Sequence, residues 1–218
     1  MAYKKEKRML KNRKIDCILL FLLTILLASC QKTDLSTVTT YSIQNIENTL
    51  TEQQNDAVNN GFKVGKYIVL LSENNKKSEQ DIATFIENDF FEKALLKAEA
   101  RIDPNKKINI LTYSMHYSPE EERYTLGVFF INSSKDNINS IKMLVKPKFK
   151  NIKESEFINV HFEGDDFPNL PINGVSPRTI SASAPIEYLD KLKENTGSDI
   201  TFEIKDLEIN GEKLGNEN

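Results

Sequence analysis

Few side chains in these 218 residues are of a type and spacing that could do chemistry. The thiols are Cys17 and Cys30, the first inside an apolar run and the second closing it. The histidines, His116 and His161, stand far apart in sequence and have no cysteine near them, so converging zinc ligands are not indicated. The acidic cluster Glu163-Gly164-Asp165-Asp166 could face a hard cation, and Glu163, Asp165 and Asp166 are its weak candidate donors. Calcium takes about six to eight oxygens from a loop of regularly spaced Asp and Asn, and that pattern is missing, so a turn between strands is the simpler expectation. No G-x-S-x-G, S-x-x-K, H-E-x-x-H or phosphate-loop motif occurs. A paired-carboxylate hydrolase would need two acids at a set separation, which a sequence does not display. The expectation is a protein that is not an enzyme and needs no cofactor.

Cys30 is the exception, and its setting explains why. Seven Lys and Arg fall within residues 1–14, opposed by Glu6 alone. The stretch ILLFLLTILLASC, Ile18 to Cys30, follows. Its apolar part is about a dozen residues, short for a permanent membrane span. A basic leader, a short apolar core and small residues at its end form the pattern of a secretory signal peptide, with the positive end kept on the cytoplasmic side.

Leu27-Ala28-Ser29-Cys30 resembles the lipobox of bacterial lipoproteins. That resemblance implies cleavage before Cys30 and a diacylglyceryl group on its sulfur, with Cys30 as the mature N-terminus. Small residues suit the cleavage, because a peptidase must admit extended backbone there. Two acyl chains hold a protein stably where one holds marginally, at about 0.8 kcal/mol per buried CH2. The expected location is therefore the extracytoplasmic face of a cell membrane, with a lipid anchor. Cys17 would be lost with the leader, leaving no internal disulfide.

Removal of residues 1–29 changes the charge. The chain carries 29 basic and 32 acidic residues; without the leader's seven and two, 22 and 30 remain, about −8. An acidic surface argues against nucleic acid as a partner, since phosphate contacts need clustered Lys and Arg.

Stepping along the mature chain, residues 30–60 are rich in Gln, Thr, Ser and Asn and read as a flexible tether of about 30 Å average reach. A short helix at Ile43 to Leu50 is compatible with the spacing of Ile43, Ile46 and Leu50. Residues 61–214 form the expected globular domain. Val64 to Leu71 reads as a strand. Ser78 then caps a helix of about 20 residues over 78–101, with Ile82, Phe85, Ile86 and Phe90 on one face. Phe91, Leu95 and Ala98 form a second apolar set on that helix. Two readings account for it: a helix buried on both sides or broken near Asp89, or a stripe that binds a partner.

From Asn109 the period changes to two. Strands are expected at 109–117, 124–131, 138–145 (ended by Pro147), 156–162, 178–184 and 199–204, with a short edge at 207–209. Tyr124, Leu126, Val128 and Phe130 share one face of their strand, while Phe129 and Ile131 on the other mark it as central. Pro185 opens a short helix near 185–193, closed by Gly197. The expected fold is mainly β (α+β), an antiparallel sandwich with one long N-terminal helix.

The stretches YTLGVFFINSSKDNINSIKMLV (Tyr124 to Val145) and SPRTISASAPIEYL (Ser176 to Leu189) are similar to Ig-like sandwich domains of Firmicutes surface lipoproteins, including the SLAP type. That resemblance implies an Ig-like β-sandwich and a link to envelope or secretion assembly. The expected role is a surface protein-interaction module with a protein partner. A small-ligand or cation-binding lipoprotein, resting on the acidic turn and a groove beside the 78–101 helix, is the alternative, and an envelope enzyme ranks last.

Overall fold

The computed structural model describes residues 50–87, 89–152 and 155–217. The leader, Cys30, and the tether as far as residue 49 lie outside the described residues.

The end of the expected tether belongs to the folded domain. Helix α1, Glu52–Asn60, begins with a reciprocal cap: Thr51 Oγ1 accepts from the Gln54 N–H, and the Gln54 side chain accepts from the Thr51 N–H. A polar helix this short depends on tertiary support, and Val58 supplies it by burial in the core.

The single strand expected at 64–71 is instead a hairpin. β1, Phe62–Val64, and β2, Tyr67–Val69, pair antiparallel about Gly65, whose φ of 57° is left-handed. Ser78 caps α2, Glu79–Ile86, by accepting from the Asp81 N–H. The long helix stops there. Glu87 turns out of helical conformation at ψ 48°, α3 runs Asp89–Ala98, and a 3-10 turn covers Glu99–Arg101. The break reconciles two apolar faces that one straight helix could not bury together. Ile82 and Phe85 point inward from α2, and Phe91, Leu95 and Ala98 point inward from α3. The partner-stripe reading of Phe91, Leu95 and Ala98 is thereby corrected, because all three are buried in the domain's own core.

The remaining strands are β3 (Ile108–Ser118), β4 (Arg123–Asn132), β5 (Ile141–Lys148), β6 (Ile158–Phe162), β7 (Gly174–Ser183), β8 (Thr201–Ile209) and β9 (Glu212–Glu217). One sheet has the order β1-β2-β7-β4-β3, the other β6-β5-β8-β9. The first sheet is mixed, since β2 pairs parallel with β7, so the antiparallel expectation holds for the second sheet and not for the whole. The structure is thus mainly β, with a sandwich-like α+β build.

Alternation along β4 explains the layering. Tyr124, Leu126, Val128 and Phe130 enter a core shared with Ile141, Met143, Val145, Val160, Ile204 and Leu207 of the second sheet. Phe129 and Ile131, on the opposite face, enter a core with Phe85, Phe91 and Leu95 of the helices. A strand segment buried on both faces reads as a continuous apolar run, as Leu126 to Ile131 of β4 does. Asn132 closes it: its fully buried amide donates to the carbonyls of Asp136, Leu170 and Pro171, and its oxygen accepts from Ser134.

Smaller departures have local causes. Pro147 does not end β5, because β6 stops pairing at Val145 and the proline then has a strand partner on one side, Phe202. The two strands expected at 199–209 are one strand, β8, with an irregularity at Asp206. Gly197 opens a 3-10 turn (Gly197–Asp199) instead of closing the preceding helix. That helix is a 3-10 turn, Ile186–Tyr188, followed by α4, Leu189–Lys193, which buries Leu192.

Candidate functional site

Three local features build a cleft beside the helices. The pairing of β3 with β4 slips between Thr112 and Ser114, so Tyr113 sits in a bulge. Bulges re-aim side chains. On β4, Gly127 leaves room for the re-aimed ring, since a Cβ there would come within 2.5 Å of Tyr113 Cε2. The break between α2 and α3 then brings Phe90 and Phe91 over it. Tyr113 meets Phe90 and Phe91 edge-on at 5.8 Å and 5.6 Å and lies tilted against Phe129 at 4.5 Å between ring centroids. Such contacts each contribute about 0.5–1.5 kcal/mol beyond burial.

The cleft holds about 490 Å³ and is lined by Tyr113, Phe90 and Phe91 together with Asn75, Asp81, Phe162 and Arg178. Arg178 occupies β7 in register with Val128. Its Nη1 donates to Ser72 Oγ at 3.0 Å and to Asn75 Oδ1, and its guanidinium lies 4.5 Å above the Phe162 ring. Asn75 links the cation to an anion, because its Nδ2 donates to Asp81 Oδ2 at 2.7 Å. No ion pair to Arg178 forms among the described residues. Burial draws the Arg178 guanidinium below the ordinary arginine value, against the opposing pull of Asp166, Asp81 and Tyr113.

The Tyr113 hydroxyl is pushed up to about 12, first by burial and then by the Asp81 charge, with Arg178 opposing. Tyr124, between the two sheets, also rises to about 12, through burial and then Glu156. Both groups bind their proton more tightly when folded than an unfolded tyrosine does, near 10. Their contribution is therefore fully present below pH 10 and is lost as pH rises toward 12. An alkaline titration followed at 295 nm should show a late-ionising tyrosine fraction, with stability falling over the same interval. Complete ionisation near pH 10 in the folded protein would contradict this burial.

The residues singled out from sequence fall elsewhere. His116 is exposed on β3. His161 is exposed and lies 3.3 Å from Glu163. Asp165 and Asp166 do not converge on a cation. Asp165 meets Lys77 at 3.3 Å, and Asp166 accepts from Asn74 Nδ2, so both fasten the 72–77 loop. Among the described residues no group of three His, Cys, Asp or Glu is placed to hold a metal ion. Nor is any helix among them long and apolar enough to cross a membrane. Arg178, Asn75 and Tyr113 went unmarked in the sequence. The one signal was an arginine amid the β-type run SPRTISAS, where a half-buried charge demands a partner.

Comparison with known proteins finds no family model, no curated protein and no solved structure that matches this chain.

Proposed function

We propose that the chain is a lipid-anchored, extracytoplasmic binding protein, held through Cys30 and taking a small ligand in the Arg178 cleft. The observation that carries the binding role is a half-buried guanidinium, stacked on Phe162 and walled by aromatic rings, with no carboxylate paired to it among the described residues. Concave, largely apolar sites with a few fixed polar groups are the usual form of ligand pockets. The anchor rests on the basic leader and on Leu27-Ala28-Ser29-Cys30. The two packed sheets support reading the domain as an Ig-like sandwich of the kind carried by surface lipoproteins, the SLAP type among them.

A second reading, the surface protein-interaction module, is favoured by one observation. Phe90 and Leu96 stand 47 % and 53 % exposed on α3, and Phe90 lines the cleft. Large apolar side chains in that position suit a protein partner in envelope or secretion assembly.

The anchor is tested by Cys30→Ala in the native host, followed by membrane fractionation and labelling with radioactive palmitate. The expected outcome is loss of lipid label, with unprocessed precursor or released protein. Undiminished labelling of the variant would remove the anchor.

A further inference from the structure

We infer that the Arg178 cleft selects a ligand joining one carboxylate to a flat apolar body. This rests on the binding role just proposed and adds the ligand's chemistry. A guanidinium has five N–H donors in a rigid plane. Here Nη1 alone is committed, to Ser72 and Asn75, while Nε and Nη2 have no hydrogen-bond partner among the described residues. That leaves the fork that receives a carboxylate through two parallel bonds. Phe162 fixes the plane from one side at 4.5 Å, so the fork is already oriented.

The surrounding charge sets the class more narrowly. Asp81 and Asp166 both act on Arg178, and Asp81 lines the same cleft. A phosphate dianion would meet two carboxylates and one guanidinium. A monoanion can take the guanidinium's free edge at much smaller repulsive cost. The body of the ligand is set by the opposite wall. Phe90 is nearly half exposed, and its ring meets Tyr113 edge-on at 5.8 Å. A flat apolar group against Phe90 would remove that surface from water. Free aromatic acids and the carboxyl end of a peptide with an apolar last residue share this chemistry.

Ligand-observed saturation-transfer NMR tests it, using the full chain in phosphatidylcholine vesicles with protein-free vesicles as the blank. The probes are 3-phenylpropionate, phenyl phosphate, 3-phenylpropylamine and 3-phenylpropanol. The propionate should bind most tightly. Arg178→Gln and Phe90→Ala should each weaken it, the first about tenfold or more, as loss of a charge-assisted hydrogen bond implies. Phe90→Ala alters a half-exposed side chain, so it serves if Arg178→Gln fails to fold by circular dichroism. Propionate binding indifferent to Phe90→Ala overturns the proposal. Equal or tighter binding of the amine, alcohol or phosphate overturns the carboxylate and leaves the cleft as a binding site. Silence from all four probes overturns both. A peptide ending in Phe, compared with its C-terminal amide, separates the two sources: the free acid alone should bind if peptide ends are taken.

Discussion

Phe129→Ala is expected to lower the stability of the folded domain by about 3–5 kcal/mol, the range for emptying a buried aromatic site. Phe129 is fully buried on the helix-facing side of β4. Its ring lies 4.5 Å from Tyr113 and 6.0 Å from Phe91, so its loss opens a void where the sheet meets α3. Repair by collapse is hindered, because those neighbours are set by the Tyr113 bulge and by the start of α3. Urea unfolding followed by circular dichroism should show a lower midpoint at unchanged slope. A shift below about 1 kcal/mol would mean that the helices are not packed on this face as described. The cleft should suffer too, since Phe129 supports both Tyr113 and Phe91.

Arg101→Gln is expected to cost about 2–3 kcal/mol, and to promote association as well. Arg101 ties the 197–199 turn to the edge of β3: Nη1 donates to Gly197 O at 3.1 Å and Nη2 to Thr112 O at 3.2 Å. Bonds from a charged donor contribute about 1.5–3 kcal/mol, and their loss leaves acceptors short of partners. β3 is an outer strand of its sheet, and this arginine with the 197–199 turn covers its middle. An uncovered edge strand templates pairing with another chain. Light scattering of the variant should rise with concentration where the wild type stays flat. Arg101→Lys should recover part of the stability, because it keeps the charge and loses the fork. Wild-type behaviour of Arg101→Gln by both measurements would show that the edge is protected by other means.

Period and capping exposed much of the fold in advance. The two-residue rhythm of β4 was plain in Tyr124, Leu126 and Val128, and its double-sided apolar character marked it as central; in β3 the bulge at Tyr113 breaks the rhythm, so Leu111 and Tyr113 face the helices while Met115 faces the second sheet. The Ser78 cap located α2. What stayed hidden depended on non-local events. The helix break at Glu87 has no Pro or Gly to announce it, and the two apolar faces offered a break near Asp89 as one reading without deciding it against a single helix buried on both sides. The β8–β9 hairpin could have been seen, since Asn210 and Gly211 take φ of 52° and 80° at its turn, and Asn-Gly is the strongest short hairpin signal. The weakly apolar sequence of β9 concealed it. A groove beside the 78–101 helix was an expectation, but the residues that line the cleft were illegible for a different reason. Its members come from the 72–77 loop, the helices, β3, β6 and β7, and only folding brings Asn75 and Arg178 into contact.

The parallel pairing of β2 with β7 bears on the order of assembly. Ile68 lies opposite Gly174, and Ser72 meets Arg178 across 106 residues of sequence. The segment from α1 to α3 therefore cannot complete its sheet until residues 174–183 are available to pair. Phe85, Phe91 and Leu95 must wait for β3 and β4 to cover them, and β2 must wait for β7. The β3–β4 hairpin, whose contacts are local, is the natural nucleus, and closure of the long loop comes late because its entropy has to be spent first. A chain cut short before residue 174 would accordingly be no smaller edition of this domain: it would lack β7, the strand that joins β2 to β4, and with it Arg178 and the cleft.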